Sequence, residues 1–246
     1  MLMKYRSILL LLIILSLSMI LPRASVAAPA PSMTILLPGE GSVLLSPITV
    51  SALVQPGADG LIRITLTNKF SQVISRQLLQ VNDMISREIN LESQIQFEVP
   101  YPGLEGLLTI ATQDEHHRPL AERSVQVTLD DSGEVQLLPN PAAKQWLDIS
   151  SPEPNESLTG GTFYIEGTVT PVNEEPVLFE LISDSGGQIG ATQMAVGQSD
   201  LTFTFRIVIS YGFISSPRDV RLIVRQTNED KTVNVVLDSI PLTLAP

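Results

Sequence analysis

The sequence predicts an all-β protein built from two tandem β-sandwiches that follow an N-terminal signal peptide. Three observations support this expectation: an apolar N-terminal run, an internal repeat in the rest of the chain, and apolar residues that alternate with a period of two. The chain has 246 residues, which is enough for two domains of about 100 to 150 residues each. Because 43% of its residues are hydrophobic, intrinsic disorder is not expected.

Residues 1–27 have the pattern of a Sec signal peptide. Basic residues precede a largely apolar run over 8–21, and a tract of small residues follows. The run is shorter than the roughly 20 residues of a membrane-spanning helix, so cleavage is favoured over a retained anchor. We expect a mature N-terminus at Ala28 or Pro29 and an extracytoplasmic location, either secreted or associated with the cell envelope. Since the chain has no Cys, a lipoprotein is excluded.

The mature chain is strongly acidic. Three of the 15 basic residues and none of the 26 acidic ones lie in residues 1–27, so cleavage leaves 12 basic residues and a formal net charge of −14. This charge argues against nucleic acid and anionic lipid as partners, and membrane contact is expected only through an uncleaved N-terminal segment. The acids serve either solubility or divalent-cation binding. Their scattered positions favour solubility.

An internal repeat divides the mature chain into two domains, residues 33–130 and 146–244. Five pairs of segments recur at nearly constant spacing. The matched segments are 35–38 with 149–152, 48–52 with 163–167, 62–66 with 177–181, 95–101 with 205–211, and 124–129 with 239–244. In this alignment Tyr101 is equivalent to Tyr211, and both are expected to pack at a domain end with the hydroxyl reaching the backbone.

Residues 131–145 are expected to be a short linker. Its two prolines, separated by one residue, disfavour a helix and stiffen the chain. Leu137 and Leu138 are its apolar exceptions, and we expect them to pack against a domain end or the facing domain. The linker, rather than a shared core, is expected to join the two domains.

Within each repeat the apolar residues alternate as they do in half-buried strands. Ile62, Ile64 and Leu66 are expected to face inward, and the odd-numbered residues from Leu201 to Ile209 are expected to share one face. Turn residues separate the runs at 56–60, 100–103, 184–187 and 228–230. About seven short strands in about 100 residues is the number expected of an immunoglobulin-like sandwich.

The first repeat opens with a Pro38-Gly39 turn, and Ser46-Pro47 precedes its second strand. With this opening it resembles the bacterial spore-germination immunoglobulin-like domain family over its first third. The second repeat is similar, although Asn155 replaces the usual Gly of the turn and a Gly-Gly pair replaces Ser-Pro. The resemblance implies an exported binding or structural module without catalytic residues of its own.

Asp114, Glu115, His116 and His117 form the densest ligand-like cluster and are the candidate metal ligands. Adjacent residues in an extended segment point to opposite faces, so a polar hairpin between the last two strands is favoured over a metal site. A second group, of acids and one asparagine, is considered for calcium at one end of the second sandwich and at the linker, with solubility again favoured. These are Glu153, Asn155, Glu156, Glu174 and Glu175, with Asp130, Asp131 and Glu134 at the linker.

No catalytic signature is found, so we expect a protein that is not an enzyme and needs no cofactor. The Gly-x-Ser-x-Gly elbow of serine hydrolases is absent, and a glycosidase would need a cleft for which two such sandwiches leave little room. The expected function is binding or spacing in the bacterial cell envelope, with an envelope protein or polymer as partner. The alternatives are a carbohydrate-binding or polymer-binding accessory protein and, less favoured, a hydrolase. Trp146 is expected to cover the junction between the domains.

Overall fold

The computed structural model describes residues 33–81, 87–140, 145–197, 199 and 201–246. These residues form sixteen β-strands and no helix, so the all-β expectation is confirmed. Within this part of the chain no helix is long and apolar enough to span a membrane. The predicted signal peptide, residues 1–27, and residues 141–144 of the predicted linker lie outside the described residues.

Eight strands come from each half of the chain. In the first half they are β1 (Met33–Leu37), β2 (Ser42–Leu45), β3 (Ile48–Val54), β4 (Leu61–Asn68), β5 (Val73–Gln80), β6 (Ile89–Ile95), β7 (Leu104–Gln113) and β8 (Pro119–Asp130). In the second half they are β9 (Leu147–Ser151), β10 (Ser157–Leu158), β11 (Thr162–Val169), β12 (Val177–Ser183), β13 (Gln188–Met194), β14 (Phe203–Ser210), β15 (Arg218–Thr227) and β16 (Asn234–Leu244).

The strands of each half form two sheets that pack as a sandwich. In the first half one sheet has the order β1-β3-β6, and the other places β8, β7, β4 and β5 side by side with β2 added to β8. The second half repeats this order with β9-β11-β14, and with β16, β15, β12 and β13 flanked by β10. If the short strands β2 and β10 are left out, each half has seven strands. The first, second and fifth form one sheet, and the third, fourth, sixth and seventh form the other. This division corresponds to immunoglobulin-like sandwiches.

Each sandwich has its own hydrophobic core. The predicted inward residues of β4 are completely buried, and so are their counterparts on β12, Val177, Phe179 and Leu181. Alternate side chains of both strands point between the two sheets. On β14, Phe205 and Ile209 are buried and Phe203 and Ile207 pack against the same core. Leu201 is 49% exposed and precedes β14, so its predicted inward position is wrong.

The strand register corrects one part of the repeat alignment. Ile48 of β3 pairs with Ile95, and its counterpart Phe163 of β11 pairs with Ile209. Ile95 is therefore equivalent to Ile209 rather than to Phe205, and the counterpart of Tyr211 is Phe97. Tyr101, expected to pack at a domain end, is 49% exposed instead.

Tyr211 is buried and packs against the ring of Phe163, with 6.2 Å between the ring centroids. Its hydroxyl is buried without a hydrogen-bond partner among the described residues. The prediction that this hydroxyl reaches the backbone is therefore wrong. Its role in the structure is ring packing within the second core.

The described part of the predicted linker lies against the first half. Gln136 and Val43 exchange two backbone hydrogen bonds of 2.9 Å, and the Gly39 amide donates to the carbonyl of Leu138 at 2.6 Å. The Leu138 amide in turn donates to the Ser42 hydroxyl at 3.0 Å. Leu138 is thus held at the first sandwich, whereas Leu137 is 41% exposed.

The two halves also contact each other directly. Strand β8 pairs with β16 in antiparallel orientation, and this pairing continues the larger sheet of one half into that of the other to give a ten-stranded sheet. The two hydrophobic cores remain separate, as expected, but this strand pairing joins the halves in addition to the linker, which the expectation did not include. We call the contact around β8 and β16 the joint.

Candidate functional site

The candidate metal ligands lie in the turn between β7 and β8, where a polar hairpin was predicted. The amide of Asp114 donates to the carbonyl of Arg118 at 3.0 Å, which closes the hairpin. One carboxylate oxygen of Asp114, Oδ1, accepts hydrogen bonds of 2.9 Å from the amides of His116 and Arg118. The Asp114 side chain therefore holds its own turn in place.

The second carboxylate oxygen of Asp114 binds two arginines. Oδ2 accepts from Arg118 Nε at 2.7 Å and from Arg221 Nε, on strand β15 of the other half, at 3.1 Å. Arg221 Nη1 also donates to the Ser239 hydroxyl at 3.0 Å. All four side chains are largely buried, so this is an ion-pair network inside the joint.

Burial and the charges of this network shift the pKa values of Asp114 and Arg221. Burial by itself raises the pKa of Asp114, but hydrogen bonds from Arg118 and the charges of Arg118 and Arg221 together lower it below its usual value. Burial lowers the pKa of the Arg221 guanidinium, and the Asp114 carboxylate opposes that shift. Asp114 is therefore a stable anion that neutralises buried arginine.

The remaining candidate ligands do not join Asp114. Glu115, His116 and His117 are exposed, and His116 Nε2 lies 4.0 Å from Glu115 Oε1. In the described part of the chain, no three His, Cys, Asp or Glu side chains form a group able to hold a metal ion. The structure brings Asp114 to arginine rather than to the two imidazoles.

The residues considered for calcium on the second sandwich are divided between its two ends. The turn at Asn155 bonds to Pro241, near the end of β16. The carbonyl of Glu175 accepts from Gln226, whose partner Val236 lies near the start of β16. The expectation that these residues share one end is therefore wrong, since the length of β16 separates them.

A second polar cluster of the joint is built around Asp238 of β16. Nη2 of Arg123, on β8, donates to both oxygens of this carboxylate, at 3.0 Å to Oδ1 and 2.8 Å to Oδ2. The indole Nε1 of Trp146 donates to the same Oδ2. Burial raises the pKa of Asp238, and the Arg123 charge and both hydrogen bonds only partly offset this. Trp146 is buried at the joint, where the sequence placed it.

The joint has a local pseudo-twofold relationship. Its central pair is Glu122 opposite Leu237, which the sequence repeat makes equivalent positions. Ser124 donates to the carbonyl of Asn234 at 2.8 Å, and the equivalent Ser239 lies 2.9 Å from the carbonyl of Pro119, the counterpart of Asn234. Each half thus makes the same hydrogen bond to the other, as subunits do in an isologous dimer.

The exposed face of β11 and β14 is a separate candidate surface. Tyr164 and Val208 are a directly opposed cross-strand pair, 54% and 47% exposed. Arg206 lies over the Tyr164 ring at 4.1 Å and pairs with Glu166 at 2.9 Å. We call these four residues the Tyr164 face. Because Trp146 is buried, it does not form an exposed aromatic strip with the tyrosines.

Sequence reasoning missed four charged residues that form ion pairs at the joint. These are Arg118, Arg123, Arg221 and Asp238. A signal for two of them was present: Arg221 and Asp238 each interrupt an otherwise apolar strand run, a position where a charge is costly unless it is paired. Their partners lie in the other half, so the sequence pattern of one strand does not reveal them.

Comparisons with known proteins assign no family to this chain. No family model and no curated protein matches it. An ICAM-5 D1–D4 ectodomain fragment matches 89% of this chain and 54% of its own at 13% identity, with a TM-score of 0.24. The chain thus spans about half the length of that structure.

Two bacterial structures match to a similar degree. The Salmonella enterica SafA pilin in complex with the SafB chaperone matches at 11% identity over 87% of this chain and 96% of its own, with a TM-score of 0.26. Dimeric latent PorU from Porphyromonas gingivalis matches at 10% identity over 88% of this chain and 24% of its own, with a TM-score of 0.26. At these scores the likeness carries no functional argument.

Proposed function

We propose that this protein is an exported, non-catalytic binding or structural module of the bacterial cell envelope, with another protein as its partner. The observation that supports this most directly is the joint, in which buried charges from the two halves pair with each other. Buried ion pairs contribute little net stability, but they favour one geometry over others. A module that presents its surfaces to a partner in a fixed arrangement benefits from such a joint.

The proposed organisation is a signal peptide over residues 1–27 and two immunoglobulin-like domains over 33–130 and 146–244. The repeated strand order and the two separate cores support this division. The Pro-Gly opening of the first domain supports a relationship to the bacterial spore-germination immunoglobulin-like domain family. Export directed by the signal peptide, followed by its cleavage, would release the acidic mature chain outside the cytoplasm.

The Tyr164 face is the proposed binding surface. It combines exposed aromatic and aliphatic area with an ion pair, a composition suited to a protein partner. A sugar needs an uncovered aromatic ring on which to stack, and Arg206 already lies over Tyr164. This observation favours a protein partner over the carbohydrate alternative.

Site-specific photocrosslinking tests the proposal. A photoreactive amino acid at position 164, in the full chain expressed in its native cell envelope, should crosslink to one recurrent protein. The same probe at Asp184, an exposed residue in the turn after β12, is the matched control and should not yield that product. Val208→Asp should reduce the crosslink at position 164. Equal crosslinking at both positions, or no effect of Val208→Asp, contradicts the proposed surface.

A further inference from the structure

The joint matches two edges of the same kind. Strands β8 and β16 occupy equivalent places in their sandwiches, and they pair antiparallel about Glu122 and Leu237, which are equivalent positions. Ser124 and Ser239 repeat the same hydrogen bond on either side of this centre. The backbone geometry alone would therefore allow β8 to pair with a second β8, or β16 with a second β16, in the same register.

The charges of the joint break this symmetry. Arg123 and Asp238 are equivalent positions, and they meet each other across the centre of the joint. Two β8 edges in this register would bring Arg123 against Arg123, and two β16 edges would bring Asp238 against Asp238. Like charges at a desolvated contact oppose pairing, so only the combination of β8 with β16 is electrostatically matched.

The charge of Arg221 also favours pairing of a first half with a second half. Arg221 of the second half needs the Asp114 carboxylate of the first half, and Asp114 has Asn228 as its counterpart at the start of the equivalent turn. A pair of first halves would have two Asp114 carboxylates and no Arg221. The network is therefore complete only when one half of each kind is present.

We propose that the β8 and β16 edges form a charge-selected docking surface whose partner is a second copy of this chain. In such a dimer β8 of each copy pairs with β16 of the other, so every contact of the joint forms between two chains instead of within one. The dimer is closed, because both edges of both chains are used. The chain thus has two assembly states built from one interface, a monomer and an exchanged dimer.

Cysteine crosslinking of full-length chains tests this proposal, since the natural sequence has no Cys. Glu122 and Leu237 are directly opposite in the antiparallel pair. Opposite positions on antiparallel strands have Cα separations within the range that disulfides need. Chains carrying Glu122→Cys and Leu237→Cys are co-expressed, purified under reducing conditions, oxidised and examined by non-reducing electrophoresis and mass spectrometry. We expect a disulfide-linked dimer that contains one chain of each kind.

Each variant expressed alone measures the charge selection. Without that selection, the symmetric backbone would place two thiols introduced at position 122 opposite each other, and two thiols introduced at position 237 opposite each other, with equal ease. We expect the mixed dimer to exceed either self-linked dimer at least tenfold at equal total concentration. Self-linked dimers as abundant as the mixed dimer would overturn the charge selection.

Two controls separate a failed proposal from a failed protein. A single chain with both substitutions should form the disulfide internally, which shows that the substitutions preserve the joint. A chain with Thr204→Cys, an exposed position on β14, should not crosslink to the Leu237→Cys chain. If the doubly substituted chain closes its internal disulfide but the co-expressed single variants give no mixed dimer, exchange does not occur and the proposal is wrong.

Discussion

Arg221 reaches from the second half of the chain to Asp114 in the first, with its Nε 3.1 Å from the carboxylate Oδ2. Only 9% of the Arg221 side chain and 3% of the Asp114 side chain is exposed. Neither charge is compensated by solvent, so Arg221 depends on Asp114, and Asp114 depends on Arg221 and Arg118. The stability of the joint should therefore respond strongly to the loss of one carboxylate.

Asp114→Ala should destabilise the whole chain by about 3 to 5 kcal/mol, because it leaves two buried guanidinium groups without their partner. The measurement is the free energy of unfolding from denaturant titration. Asp184→Ala, which removes an exposed carboxylate from a turn, is the control and should cost less than about 1 kcal/mol. Similar effects of the two substitutions would show that the buried network does not support the fold.

The contribution of Asp114 should disappear in acid. Its pKa in the folded chain lies below the usual 3.8, so its ionised form is favoured by folding. This stabilisation is present above the usual pKa and is lost as the pH falls through the lowered value. The difference in unfolding free energy between the natural chain and Asp114→Asn should be largest near neutral pH and shrink below pH 3.8.

The ionisation of Asp238 has the opposite effect on stability. Burial raises its folded pKa, so its ionisation opposes folding as the pH rises from the usual 3.8 through the raised value. Comparing Asp114→Asn with the natural chain at each pH cancels this background. A difference that stays constant from pH 7 to pH 3 would contradict the assigned role of Asp114.

Adjacent residues of β14 should differ strongly in their effect on stability. Phe205 is buried, with its ring centroid 5.4 Å from that of Phe179, whereas the Arg206 side chain is 63% exposed. Phe205→Ala should cost about 3 to 5 kcal/mol, and Arg206→Ala less than about 1 kcal/mol. Thermal and denaturant unfolding of the two variants check this, and equal small shifts would contradict the register of the strand.

Fragments 30–132 and 142–246 should each fold, because each contains one complete core. Each should be less stable than the same half in the whole chain, since separation leaves Asp114 without Arg221 and Asp238 without Arg123. Circular dichroism and denaturant melts of each fragment provide the measurement. If either fragment is unfolded while the full chain melts as one unit, the proposed modular organisation fails.

Intact mass spectrometry of exported protein tests the predicted signal peptide. Small residues occupy the required positions before the cleavage site, so the mature chain should begin at Ala28 or Pro29. Extracytoplasmic protein that retains Met1 would contradict cleavage and favour a membrane anchor. The experiment is independent of the folded domains and of the joint.

The sequence predicted structure correctly where the residues of a single strand contain all the information needed. Alternation at Ile62, Ile64 and Leu66 predicted a buried strand face, since a half-buried strand has a period of two. It failed where partners come from distant segments: Arg123 meets Asp238, and the linker alone gave no indication of this contact. The pairing of Tyr101 with Tyr211 failed for a related reason, because a chance match of residue type was used in place of strand register.

The centre of the joint makes the chain sensitive to changes in length. Successive residues of β16 point to opposite faces of the sheet, so deleting one codon between Asn234 and Asp238 would turn Asp238 away from the face it shares with its partners. Both Arg123 and Trp146 would lose their carboxylate in a single event. A point substitution on this strand changes one side chain and its contacts, whereas a one-residue deletion removes all contacts of the Asp238 cluster at once.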